Sequence, residues 1–445
     1  MVLALLVISS LQLHAAGGGL FSKPKPLAVD AFPERPRPLI EWGDPFLGTG
    51  KVQKGFKVPT GATWNPSFTM YGSLRTAVQT YDAGDRRFSE WASRLELLGN
   101  LQLSATERFV VGFRPFDRLN QYSGYQFEPG SLRGWNDHFR ATPHILFFEG
   151  EFGEIFPGLD KNDHLGLDYG LSVGRQPLRL QEGLILEDDS IDLVGITRNA
   201  LLMGGASHLK VSSIFAWNEI EGANNIKDPG GKIVGLTSFM DFEKTTFEFD
   251  SLYALSPNQS DGVFIGLGAI RRFGLWNATL RGAFSQSTET EDARTGNGWV
   301  FFSQLSRDLP HSHDLVYFNS FWAIDQFSSA SRAPDAGGPL GRMGILFSAV
   351  GLGHFASPLN NHTHNNLGAA LGYQKFFGEL KRTQLIIEAG GLTSTDGGSE
   401  SAEALGVRFQ KAFGRRHILI TDVFGALQSD HQETWGLRGE WLIKF

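Results

Sequence analysis

Trp435-Gly-Leu-Arg-Gly-Glu-Trp-Leu-Ile-Lys-Phe445 sets Trp435, Leu437, Gly439, Trp441, Ile443 and Phe445 on one parity and Arg438, Glu440 and Lys444 on the other. A β-strand sends alternate side chains to opposite faces, so this segment has one apolar face carrying two indoles and one charged face that must meet water. Half-buried strands of soluble sandwiches alternate too, so recurrence decides. Trp91, Ser93, Leu95, Leu97, Gly99, Leu101 and Leu103 oppose Arg94, Glu96, Asn100 and Gln102. Leu165, Leu167, Tyr169, Leu171 and Val173 oppose Gly166, Asp168, Gly170 and Ser172, and Trp276, Ala278, Leu280, Gly282 and Phe284 oppose Asn277, Thr279 and Arg281. Segments of about ten residues that alternate apolar-out and polar-in along the whole chain point to an all-β, transmembrane antiparallel up-and-down barrel.

A chain that ends in an aromatic strand of this kind resembles bacterial outer-membrane β-barrels in general. The resemblance implies location in the bacterial outer membrane, contact with its lipid, and delivery to the barrel-assembly machinery through the C-terminal strand. Composition agrees with export. The run Val2 to Leu13 followed by His-Ala-Ala-Gly-Gly-Gly reads as a signal peptide over 1–17, although no Lys or Arg precedes it. No later stretch reaches the roughly 18 uninterrupted apolar residues a membrane helix needs. The 445 residues contain no Cys, which excludes disulfides and thiolate metal, haem or iron–sulfur sites, so no cofactor is expected. A net charge of −7 offers no basic field for nucleic acid.

Eight of the 19 prolines fall between Pro24 and Pro66, where they block ladder donors, so 18–66 reads as a Pro-rich periplasmic leader and 67–445 as the barrel. Single-chain barrels join strands by short periplasmic turns and longer external loops in alternation. Short links fall near 104–106, 242–244, 272–274, 377–379 and 413–416, and long ones near 114–143, 176–187, 219–231, 286–298 and 392–402. The alternation predicts strands near 67–81, 89–103, 107–114, 143–153, 164–175, 188–198, 207–218, 232–241, 245–255, 262–271, 275–285, 298–307, 313–323, 366–376, 380–391, 403–412, 416–427 and 433–445, about eighteen in all. The count closes only if 324–365 is one external loop, since a strand at Met343 to Leu352 would put the tight Phe377-Gly378-Glu379 turn outside. A loop that long, with an apolar piece at 344–350, is expected to fold into the lumen as a constriction. A 16- or 20-strand barrel with 343–352 as wall is the alternative.

Inward parity collects Arg75, Arg94, Lys210, Arg281, Arg408, Arg438 and Lys444 against Glu96, Glu149, Glu151, Asp168, Glu248, Asp250, Glu388 and Glu440. The mixed signs describe a wet lumen rather than a strongly selective one. Gly174-Arg175-Gln176 closes one strand, and Asp188-Asp189-Ser-Ile-Asp192 through Arg198 opens the next. Here, and more loosely from Trp64-Asn-Pro66 through Gln79, the chain resembles the alginate-export-type porin family. That resemblance implies that Arg175, Gln176, Asp192 and Arg198 are lumenal polar ligands. The expected pore lining is therefore Arg75, Arg94, Glu96, Asp168, Arg175, Gln176, Asp192, Arg198, Lys210, Arg281, Arg408 and Arg438. A polyanion exporter of that family is expected to show an arginine-rich path, whereas this inventory is mixed in sign, which argues against alginate itself as the solute.

His354, His362 and His364, with His311 and His313 in a turn, supply too few ligands at the spacing of a closed metal site, and none is expected. There is no Gly-x-Ser-x-Gly, His-Glu-x-x-His or phosphate-cradling loop, and the adjacency of Ser429, Asp430 and His431 is not how a triad is built, so no catalytic residues and no enzyme are expected. The expected function is a porin passing hydrophilic solutes, acidic oligosaccharide or polysaccharide among them, through a loop-constricted lumen. A barrel sheath around a periplasmic or redox partner and an outer-membrane hydrolase are the alternatives.

Overall fold

The computed structural model describes residues 37–44, 54–118, 121–159, 161, 164, 166–222, 225–257, 260–289, 295–310, 312–348, 351–398, 401–429 and 433–445. The segment 1–17 read as a signal peptide, most of the stretch 18–66 read as a leader, His311, Asp430, His431, Leu165 and the end of the apolar run at 349–350 lie outside them. The wall begins with β1 (Ser67–Asp82), β2 (Arg87–Gln102), β3 (Arg108–Phe113), β4 (Ile145–Glu151), β5 (Tyr169–Leu180), β6 (Leu186–Leu201), β7 (His208–Asn218), β8 (Lys232–Asp241) and β9 (Thr245–Leu255). It continues with β10 (Gly262–Phe273), β11 (Trp276–Ser287), β12 (Gly298–Asp308), β13 (Leu315–Asp325), β14 (Asn366–Phe377), β15 (Thr383–Ser394), β16 (Ser401–Phe413), β17 (His417–Gln428) and β18 (Glu433–Lys444). Each pairs antiparallel with the next. The sheet closes where β18 meets β1, from Trp435 opposite Asp82 to Lys444 opposite Ser73. Closure removes every free edge from the wall, which a strand structure needs in lipid because no water there can satisfy open N–H and C=O groups.

All eighteen strands fall on the predicted segments, and 343–352 is not wall. β13 pairs directly with β14, Leu315 opposite Gln374 through Trp322 opposite Leu367, so the ladder passes over 326–365. Outward parity is apolar and exposed, as at Val78, Leu267, Leu280, Leu371, Leu405, Trp435 and Trp441. No helix among the described residues is long and apolar enough to cross a membrane.

Segment 326–365 turns into the lumen. Leu340, Met343, Leu346, Phe347 and Leu359 are buried there against inward residues of the wall, among them Ile191, Leu193, Phe264, Val300, Phe321 and Ala404. Each large apolar side chain so buried is worth about 1.5–3 kcal/mol, which keeps the segment docked without a ladder of its own. Among the described residues its regular structure is Ser331–Arg332, parallel to Leu186–Glu187, one turn at Pro334–Ala336 and an isolated bridge between Gln326 and His364.

The hairpin tip between β5 and β6 differs from the external link read at 176–187. Leu184, Ile185 and Leu186 are buried in the same core, and Ile185 and Gln181 approach the bare backbone of Gly266 on β10 so closely that a Cβ there would stand 2.8 Å from each. The link read at 114–143 is not simple loop either. Gln121–Glu128 pairs with the upper part of β2, Tyr125 opposite Trp91, and Gly134–Asn136 adds to it, bringing Trp135 edge-on to both rings. Ile40–Trp42 of the leader pairs with Phe68–Met70 of β1, beyond the point where β18 ends.

Candidate functional site in the constricted lumen

Three wall carboxylates anchor the infolded segment. Glu388 on β15, fully buried, accepts the backbone N–H of Ile345 and Leu346 and the hydroxyl of Tyr317. Glu90 on β2 accepts the backbone N–H of His354 at 2.6 Å and faces its Nδ1 at 2.9 Å, while the His354 ring stacks on Phe88 with centroids 4.6 Å apart. That bond to Glu90 pushes the His354 pKa up, against the lowering by burial. Glu187 pairs with Arg332 and Arg342. Arg332, 1% exposed, donates to the carbonyls of Gly183 and Gly337 at 2.6 Å each, and burial lowers its pKa to about 10. Beside it Ser331 donates to Asp188, and Glu221, desolvated and near Asp188, is raised to about 7. Charge-assisted bonds of this kind are roughly twice as strong as neutral ones.

Arginines collect on the adjoining strands β16 to β2, around the seam where the barrel closes. Arg408 on β16 and Arg438 on β18 share Asp422 on β17, donating from Nε at 2.6 and 2.9 Å. Arg438 also pairs with Glu440, which holds Arg75 of β1 in a two-pronged bond at 2.8 and 2.9 Å. Arg75 stands directly opposite Arg94 of β2 in the ladder. Arg94 pairs with Asp335, Asp117 and Asp189, and Arg114, just past β3, pairs with Glu96 and Asp189. A small polar pocket of about 60 Å³ beside this cluster is lined by Arg114, Asp117, Arg140, Asp189, Glu221 and Asp335, among others.

Five of the twelve expected lining residues, Arg75, Arg94, Glu96, Arg408 and Arg438, thus form one continuous arc. Arg281 lies apart on β11, almost wholly buried with Glu248 at 3.2 Å. Lys210 shares the inward parity of Ser212 and Ile214 and is exposed, and Gln176 is buried and donates to Ser172. Four residues stand elsewhere. Arg175, Asp192 and Arg198 share rungs and parity with Tyr169, Val173 and Ile196, whose side chains are 41%, 46% and 47% exposed, whereas the buried Ile191 and Leu193 point inward. They face outward, and Asp168 goes with Arg198 at 2.9 Å. The reason is the same period of two: Arg175 continues the apolar parity of Leu171 and Val173. Its charge is tolerable because it is paired with Asp192 and Glu219 at 2.8 and 3.2 Å near the wall's upper rim, where charged groups cost little.

Glu90, Asp117, Glu187, Asp189 and Asp335 were not singled out from sequence, although Glu90 shares the inward parity of Arg94 and Glu96. Among the described residues, no group of three or more His, Asp or Glu is placed to hold a metal ion.

No protein-family model matches the chain, and no curated protein matches it. Solved structures do. A BenF-like porin from Pseudomonas fluorescens Pf-5 superposes with a TM-score of 0.57 at 10% identity, covering 85% of this chain and 98% of its own. OpdK of Pseudomonas aeruginosa, solved with vanillate, gives 0.54 at 11% over the same shares. Wzi of Escherichia coli, a carbohydrate-binding β-barrel involved in group 1 capsule assembly, gives 0.50 at 10% over 84% of each chain. Closed in eighteen strands, apolar outside and narrowed inside, the chain has the fold of the outer-membrane β-barrel porins.

Proposed function

We propose that the protein is an outer-membrane porin for small hydrophilic solutes carrying carboxylates, acidic sugars and short acidic oligosaccharides among them. The observation that supports this most is the arc Arg408, Arg438, Arg75, Arg94 and Arg114, which runs along neighbouring wall strands and meets the infolded segment at Asp335 and Phe355. Each guanidinium already holds a carboxylate, so a solute carboxylate has a stereochemically matched place at each step, by exchange rather than by new desolvation. The neighbours fit this class: one was solved with an aromatic carboxylate, another binds carbohydrate. A long polyuronate of the alginate type shares the chemistry, but Leu340, Met343, Leu346, Phe347 and Leu359 of the infolded segment pack inside the barrel and favour short solutes over a polymer.

The test is reconstitution of the full chain into planar bilayers and liposomes. Ohmic single-channel steps and faster entry of glucuronate than of glucose are expected. A folded barrel that conducts no ions, or that passes glucose faster, would overturn the reading.

A further inference from the structure

Arg94 is held by three aspartates from different parts of the chain, Asp117 past β3, Asp189 at the start of β6 and Asp335 in the infolded segment. Asp335 Oδ2 accepts from its Nη1 at 3.0 Å, Asp117 Oδ2 lies 3.6 Å from Nε, and Asp189 Oδ2 lies 3.8 Å from Nη2. The three are not equivalent. Asp117 is buried, and Asp189 is bound more closely to Arg114. Asp335 has the shortest bond to Arg94 and is partly exposed, and it shares the small polar pocket beside the cluster with Asp117 and Asp189. The backbone around it is fixed independently, because Arg332 donates to the carbonyls of Ala336 and Gly337, and Asn225 to those of Ala333 and Gly337. Removing Asp335 from Arg94 therefore requires rotation of one side chain and no movement of the segment.

We propose that Asp335 is a built-in competitor: it occupies the carboxylate station of Arg94 while the lumen is empty, and an incoming acidic solute displaces it by placing its own carboxylate on Nη1. The proposal rests on the porin reading above and deepens it. Its physical basis is that a guanidinium as enclosed as Arg94 is costly to leave short of acceptors. A resident that matches the solute's own group keeps the station formed, and its partial exposure keeps the exchange easy. Affinity for acidic solutes is then set by how tightly Asp335 holds, which favours rapid release over retention.

The probe is citrate, titrated against the potassium chloride current of the full chain in a planar bilayer. Asp335→Asn should lower the half-blocking citrate concentration by about threefold, the size expected for losing one partly exposed ion pair. Asp335→Glu should restore the original value. Glu149→Gln removes a carboxylate paired with Arg108 at 2.6 Å, away from the station, and should leave citrate block within error of the original. Equal block in Asp335→Asn and the unaltered protein would overturn the proposal. So would an equal shift in Glu149→Gln, since the effect would then be one of overall charge. A conducting channel that citrate never blocks removes the station but leaves the porin, whereas a folded barrel without current removes both.

Discussion

Glu388 and Leu346 lie 42 positions apart, yet the wall carboxylate accepts the backbone N–H of Leu346 at 2.8 Å inside the barrel. The same carboxylate takes the N–H of Ile345 at 2.9 Å, so two adjacent amides end on one side chain. In Glu388→Ala both amides lose their acceptor, at about 1–3 kcal/mol each. Hydrogen exchange at Ile345 and Leu346 should speed up by about ten- to a hundredfold. The heat-modifiable band of the folded barrel should persist, because no ladder bond is lost. Unchanged exchange at both amides would show that apolar packing alone holds the segment.

Parity separates two neighbouring positions on β2. Leu95 lies opposite Leu74 on the outward face, and Glu96 reaches Arg114 inside. Leu95→Arg should impair assembly, since a lipid-facing charge costs about 2–4 kcal/mol at the membrane midplane. Glu96→Arg should assemble and move the reversal potential in a salt gradient toward anions. Equal membrane levels of the two variants would contradict the facing assigned to β2.

Rising pH should loosen the docked segments in two stages. Glu221 is raised from its usual 4.5 to about 7 mainly by desolvation, so its segment docks best with the carboxyl protonated, and that contribution is lost as pH rises from 4.5 through about 7. His354 is raised above 6.5 by its bond to Glu90, so its contribution is complete below 6.5 and lost as pH rises through the elevated value. Current noise should grow between pH 5 and pH 9. Glu221→Gln should remove the lower stage and His354→Gln the upper. Noise that falls with pH would reverse the sign of both assignments.

Replacing 335–360 by a short Gly-Ser linker should leave the barrel folded, because the pairing of β13 with β14 makes no use of that stretch. Single-channel conductance should rise. A barrel that fails to assemble would mean that the inward apolar wall cannot tolerate water, and an unaltered conductance would place the segment outside the permeation path.

The wall was legible because lipid imposes one rule on every outward residue and the tight links, such as that around Gly274 with its φ of +60°, are marked by glycine. The lumen was less legible, since inward residues answer to whatever fills the barrel. Phe264 beside Ile265, or Phe301 beside Val300 and Phe302, makes a strand apolar on both parities, the pattern of a wall covered on both faces. That pattern marks where the infolded segments dock. The tip at Leu184–Ile185 carries the same apolar signal within a stretch otherwise typical of an external link. Arg175, Asp192 and Arg198 were placed inside on resemblance, against the parity of their own strands. Asp335 and Glu187 carry no signal of their own, since a carboxylate in a loop is common and only the fold brings these two to Arg94 and Arg332.

Phe445 exchanges backbone hydrogen bonds with Gly72, and Ile40 sits opposite Met70 on the same edge of β1, so two segments from opposite ends of the chain lie end to end along one strand. The first is the residue that follows the closing strand β18. The second blocks the track ahead of it, because a slip of β18 by two residues toward Phe68 would drive Phe445 into the place held by Ile40. Ile40–Trp42 thereby acts as an end-stop. It fixes the register in which the barrel closes, at a seam where no covalent turn joins the two strands to do so.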